Sequence, residues 1–318
     1  MMKLKTVFHT FLLALTPYLI ASTLAATAPD YQINQTGLVL SHIQQVEERN
    51  IAKTIDLFSS FPTRHYQTQE GIAAMKWLAR LWKKMAMNRN DITVTEFKHE
   101  KWEQPTIILS IKGKTYPHKR IILGGHGDSI NTDDFNNIHA HAPGADDNAS
   151  GIATLTEILR ILIDNSYQPE HTVEFIAYSA EEDGIQGSYD LADIYRNQNV
   201  DILGVLQLDG TNYKGSADLD IVLISDYTNE AQNNFLGQLI DTYLKVPWGY
   251  DECGYGCSDH AAWHYEMYPV SFPFESRVPE ENPNIHTARD TFDFMNNDAS
   301  HSVHFAKLSL AYLLELDR

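Results

Sequence analysis

HTVEFIAYSAEEDGIQGSYDLADIYRNQ, residues 171–198, decides the fold. HTVEFIAYSA is a near-continuous run of β-branched, aromatic and small residues, the pattern of a strand buried on both faces. SYDLADIYRNQ follows as a helix. Between the two, Glu181 and Glu182 stand side by side. Adjacent carboxylates at the end of a buried strand repel one another and are each harder to ionise, so the pair needs water or a cation nearby.

The same alternation extends in both directions. Upstream, LVLSHIQQVEERNIAKTIDLFSSF and TQEGIAAMKWLARLWKKMAM are helical in period, with Ile72, Met75, Leu78, Leu81 and Trp82 on one face. DITVTEFKH, PTIILSIKG and KRIILGGHGDS read as strands, and NASGIATLTEILRILIDN as a helix capped by Asn148 or Ser150. Downstream come the strands DILGVLQLDG and DLDIVLIS, the helix EAQNNFLGQLIDTYLKV, the short strand YPVSFPFES and a closing helix in DASHSVHFAKLSLAYLLEL. Strands alternating with helices predict an α/β fold. The expectation is a single globular domain, with a mixed, mostly parallel central sheet covered by helices on both faces. The early hairpin-like strands predict an antiparallel part. There is no internal repeat, low-complexity tract or long linker, so one domain is expected over residues 29–318.

Residues 1–28 read as a signal peptide: lysines near the start, an apolar run from Val7 to Ala25, and small residues in STLAATA that place cleavage near 25–28. Pro17 and its polar neighbours leave too little apolar length for a retained anchor. Secretion, to the periplasm or beyond, makes Cys253 and Cys257 in DECGYGCSDH a local disulfide, the two glycines between them letting the chain turn back. The formal net charge of −18 argues against a basic face for nucleic acid or anionic membrane. A soluble monomer is the default expectation.

Potential metal ligands cluster at predicted strand ends and in the loops around them: His126 and Asp128 in GGHGDS, Asp146 and Asp147 in APGADDNASG, Glu181 and Glu182 in SAEEDG, Asp209 in LQLDGTN and His286 in NPNIHTARDT. In sheets of this kind the functional crevice lies beyond the carboxyl ends of the strands. A strand-end Asp is by itself an ordinary cap or turn former. Their joint occurrence at one sheet edge points to a metal site.

HGDS, PGADDNASG, SAEEDGIQGS, QLDGTNY, CGYGCSDHAAWH and PFESRVPEENPNIHT, in this order, resemble the secreted bacterial leucyl aminopeptidases with two co-catalytic zinc ions (Vibrio aminopeptidase-like). The resemblance runs from about residue 120 to the C-terminus. It implies a zinc-dependent exopeptidase fold, of the phosphorylase/hydrolase-like type, and two Zn²⁺ per chain. Asp146 would bridge the ions, His126 and Asp209 would complete one site, and Glu182 and His286 the other. Glu181 would be the general base, taking a proton from metal-bound water and passing it to the leaving amine, since zinc brings the pKa of such water to about 7. Asp128 would accept a hydrogen bond from the free ring nitrogen of His126. Asp147 would hold the loop, with the family's non-proline cis peptide between it and Asp146. Tyr255, inside the Cys253–Cys257 loop, would polarise the scissile carbonyl.

The resemblance also implies a pocket for the first side chain, formed by Gly210, Leu223, Cys253, Cys257, Phe274 and Ile285, and peptide substrates with a free N-terminus and a Leu or other apolar first residue. Gly210 replaces a bulkier apolar residue of the prototype, and Val278 and Glu281 replace aromatics. The alternatives of the same fold are a metallo-carboxypeptidase or dipeptidase, which usually carries an inserted dimerising domain, and a glutaminyl cyclase, which needs one zinc. A non-catalytic binding domain is the alternative of another class. The intact ligand set and base favour the aminopeptidase.

Overall fold

Ile107, Leu109, Ile121, Leu123, Val173, Phe175 and Ala177 are buried in one apolar cluster, and Ile108, Ile122, Ile176 and Tyr178 in a second. These residues alternate along three neighbouring segments, so the segments are strands of a sheet buried on both faces. The computed structural model describes residues 29–318; the expected signal peptide, 1–28, lies outside the described residues.

The chain begins with three helices, α1 (Thr36–Ile43), α2 (Glu48–Ser59) and α3 (Gln69–Met85), followed by the strands β1 (Ile92–Phe97), β2 (Thr106–Ile111) and β3 (Tyr116–His126). Then come α4 (Ala149–Asp164), β4 (His171–Tyr178), α5 (Gln186–Asn197), β5 (Asp201–Gln207) and β6 (Ile221–Ile224). The last part contains α6 (Glu230–Leu239) with a π-helical turn at Ile240–Leu244, β7 (Trp248–Asp251), α7 (His260–Tyr265), β8 (Val270–Phe274) and α8 (Ser302–Leu316).

The sheet has the order β1-β2-β4-β3-β5-β8-β6-β7. Its centre, β4-β3-β5-β8, is parallel; β1 and β2 run antiparallel at one side, and β6 pairs antiparallel with β8 at the other. The mixed, centrally parallel α/β sheet expected from the sequence is the one observed. The chain leaves β3 toward β4, then crosses back to β5 on the other side of β3. That reversal opens a crevice beyond the carboxyl ends of these strands.

Helices α1, α2, α3, α4, α6 and α8 contribute to the larger cluster, whereas Leu191, Ala192 and Tyr195 of α5 and Ala262 and Trp263 of α7 fill the smaller one. Each fully buried aliphatic or aromatic side chain contributes roughly 1.5–3 kcal/mol. Asn148 caps α4, its side-chain oxygen accepting the Gly151 amide at 2.9 Å. The edge strand β7 and the six-residue α7 have no counterpart in the sequence reading. Both are too short to display a period. Among the described residues no helix is long and apolar enough to cross a membrane.

Candidate active site

β3 ends on His126, β4 leads within three and four residues to Glu181 and Glu182, and β5 leads within two to Asp209. The loop before α4 brings Asp146 and Asp147, and the segment between β8 and α8 brings His286. His126 Nε2 lies 2.9 Å from Asp147 Oδ1 and 3.2 Å from Asp209 Oδ1. His286 Nε2 lies 2.9 Å from Asp147 Oδ2 and 3.0 Å from Glu182 Oε2. Two clusters of three donors, His126–Asp147–Asp209 and Asp147–Glu182–His286, thus share one carboxylate.

That carboxylate corrects the sequence reading, which gave the shared position to Asp146. Asp146 is turned away: its Oδ1 accepts the amides of Asn212 and Tyr213 at 3.0 and 3.2 Å, and Oδ2 accepts from Asn282 Nδ2 at 3.2 Å. The loop-holding role expected of Asp147 falls to Asp146 and to Asp290, whose carboxylate accepts the Asp146 and Asp147 amides at 3.1 and 3.0 Å. The cis peptide also falls one residue later, at Asp147–Asn148. Consecutive residues present their side chains in different directions, so a shift of one exchanges which aspartate faces the crevice.

Asp128 differs from its expected contact as well. It accepts the backbone amides of Glu181 and Glu182, both at 3.1 Å, and stands 3.6 Å from His126 Nδ1, beyond hydrogen-bond length. It therefore orients the two glutamates through their backbone. Ala180, just before them, has φ 56°, and His286 has φ 55°. Left-handed backbone at non-glycine residues is uncommon and collects at functional sites. Ser258, to which the sequence reading gave no role, donates to Asp209 Oδ2 at 2.6 Å, and Gln207 donates to Ser258 at 3.0 Å. Arg64, also without an assigned role, is fully buried and donates to the carbonyls of Gly127, Pro143 and Gly144. Its guanidinium sits in the field of Asp290, Asp147, Asp128 and Glu182. No periodicity marks such residues; only the folded loops bring them together.

Burial pushes the Glu181 carboxyl well up, His126 opposing and Asp259, Asp209 and Glu182 reinforcing. Burial and Asp147 push Glu182 up to about 7. Burial likewise raises Asp147, but hydrogen bonds from His126 and His286 outweigh it and hold this carboxyl well below the usual range. Burial raises Asp146 to about 6 against the hydrogen bonds it accepts. So dense a set of buried acids favours an added positive charge. Two imidazoles and three carboxylates, with room for further ligands, match the donors zinc takes in catalytic sites. The residues present fit two such ions sharing Asp147.

A cavity of about 290 Å³ opens from these clusters. Its walls include Gly210, Phe272, Phe274, Val278, Ile285 and the Cys253–Cys257 disulfide, with Tyr255, Glu181 and Glu281 also lining it. Phe272 is an addition to the expected set. Leu223 is a correction: it is fully buried in the larger core, while Val222 and Ile224 on either side pack with Phe272. Period-two alternation along β6 turns Leu223 to the opposite face. Gly210 has φ 57°, and a Cβ there would lie 2.7 Å from the Phe274 ring. Tyr255 is 64% exposed at the cavity wall; partial burial and then Glu281 raise its phenol above the ordinary value. Burial and Asp147 push Glu281 up to about 7, His286 opposing.

The family model described as Peptidase family M28 matches residues 106–311. A probable aminopeptidase of Saccharomyces cerevisiae is 35% identical over 301 residues, covering 91% of this chain and 79% of the yeast protein. Leucine aminopeptidase 1 of Blastomyces gilchristii is 34% identical, covering 92% and 77%. The crystal structure of the Legionella pneumophila LapA aminopeptidase superposes with a TM-score of 0.84 at 30% identity, covering 96% of this chain and 79% of that one.

Proposed function

The chain belongs to peptidase family M28, and from that premise we propose that it is an exported dizinc aminopeptidase that removes the first residue of peptides. The observation that carries this reading is the shared carboxylate: Asp147 stands 2.9 Å from both His126 and His286, between two donor clusters. His126, Asp147 and Asp209 would hold one zinc, and Asp147, Glu182 and His286 the other. Bound zinc supplies Lewis acidity and makes a water nucleophile available at neutral pH. Glu181, whose Oε2 is 4.0 Å from His126 Nε2, lines the cavity without joining either cluster. It is the base that accepts the water's proton and returns it to the departing amine.

Tyr255 faces the same cavity from the disulfide loop and would donate its phenol to the scissile carbonyl oxygen. Phe272, Phe274, Val278 and Ile285 would hold the first side chain, which favours long, largely apolar stems, leucine included. Ser258 and Asp128 position Asp209 and the two glutamates. Export is supported by the signal-like residues 1–28 and by the disulfide, which suits an oxidising compartment. A monomer acting on peptides with a free N-terminus completes the reading.

Hydrolysis of leucine p-nitroanilide is the direct test. Activity should vanish with a chelator and return with zinc, and Glu181→Gln should abolish turnover while two zinc ions stay bound. Cleavage of peptides from the carboxyl end, with leucine anilide untouched, would overturn the assignment.

A further inference from the structure

One carboxylate on the cavity wall is committed to nothing. Asp147, Glu182 and Asp209 face the histidines, and Glu181 is the base. Glu275, also on the wall, is buried and accepts the Tyr213 amide at 2.7 Å. Glu281 is only half-buried, and its neighbours Asp147, His286, Asp209 and Asp146 act on it through space. Among the described residues its carboxylate has no hydrogen-bond donor and no ion-pair partner within bonding distance.

The surroundings suit a particular kind of side chain. Phe272, Phe274, Val278, Ile285 and the disulfide make much of the wall of the cavity that Glu281 lines apolar. A carboxylate against such a surface costs free energy unless a partner meets it. Lys and Arg match both features: their methylene stems lie along apolar surface while the cationic head reaches a polar group. Gly210 lets the Phe274 ring close over it as part of that apolar wall, since a Cβ there would lie 2.7 Å from the ring. A cavity of about 290 Å³ is of the size that takes one such side chain with its backbone.

We propose that Glu281 is a specificity-determining residue, the counter-ion for a cationic first side chain, so that peptides beginning with Lys or Arg are preferred over uncharged ones of the same length. This rests on the aminopeptidase reading above and deepens it by naming the substrate class. The carboxylate acts on the side chain and takes no part in bond cleavage. Removing its charge therefore falls mainly on the choice between cationic and neutral first side chains.

The test compares lysine p-nitroanilide with norleucine p-nitroanilide, whose stems have equal length, on the zinc-loaded full chain and on Glu281→Gln. The wild type should favour lysine by about tenfold or more in kcat/KM at low salt, and the margin should shrink as ionic strength rises. Glu281→Gln should remove that margin through the lysine substrate alone, with norleucine changed by less than about threefold. Glu281→Asp, which keeps the charge, should retain part of it. Calorimetric binding of free L-lysine and L-norleucine should show the same ordering without turnover. A wild type with no preference for lysine overturns the proposal, as does a Glu281→Gln variant that loses both substrates equally, which would place the carboxylate on the α-amine. If neither anilide is cleaved, the aminopeptidase reading fails, and binding of the two free amino acids still decides the role of Glu281.

Discussion

Asp147→Asn replaces the shared carboxylate by a neutral amide of the same shape. Asp147 presents one oxygen to each histidine at 2.9 Å, so the substitution weakens both clusters together. A four-ligand zinc site binds with about 10–16 kcal/mol, or about 2.5–4 kcal/mol per donor if shared evenly. An amide oxygen keeps part of that, which leaves a loss of about 2–3 kcal/mol per ion, roughly 30-fold to 150-fold in affinity. The neighbouring Asp146→Asn is the control. Its Oδ1 still accepts the Asn212 and Tyr213 amides, so zinc affinity should fall by no more than about tenfold, the mild end of the range for groups around a metal site. Competition against a chromophoric chelator at neutral pH measures both variants against the wild type. The reasoning is refuted if Asp146→Asn loses zinc more severely than Asp147→Asn, or if Asp147→Asn keeps both ions at wild-type affinity.

Ser258→Ala removes the 2.6 Å hydrogen bond to Asp209 and should lower zinc affinity or kcat/KM by about 10–100-fold with the fold intact, seen by circular dichroism alongside metal counting. Replacing both Cys253 and Cys257 by serine opens a loop spanning a sequence separation of 4; chain entropy sets the loss at about 2 kcal/mol in urea unfolding, and KM should rise as Tyr255 loses its strap. His260 is fully buried, and burial lowers its pKa to about 3. The native state therefore keeps it neutral while the unfolded chain takes up a proton below about pH 6.5, so stability falls as pH drops through that value and continues to fall toward pH 3. By pH 5 this residue alone costs about 2 kcal/mol, and His260→Leu should flatten that part of the acid limb in urea titrations across pH.

The fold was legible because the parallel strands at its centre are apolar enough to stand out, and three of them, β3, β4 and β5, end at or within a few residues of a side chain able to bind metal. His126, Glu181, Glu182 and Asp209 could be placed at one sheet edge from that pattern alone. Asp146 and Asp147 could not be told apart, since the choice depends on backbone geometry in a loop and on Asp290, which is distant in sequence yet accepts both their amides. The resemblance puts Leu223 in the pocket, and nothing local corrects it: a four-residue strand buried throughout has no polar face to reveal its register. Arg64 and Ser258 act through contacts across 63 and 49 residues, which no local pattern encodes.

Anomalous scattering at the zinc edge, from crystals of the full chain grown with zinc, tests the two-ion site most directly. Two peaks about 3.5–4 Å apart are expected, one against His126 and Asp209 and the other against Glu182 and His286, with the Asp147 carboxylate between them. A single peak, or two that leave Asp147 uncoordinated, would contradict the account.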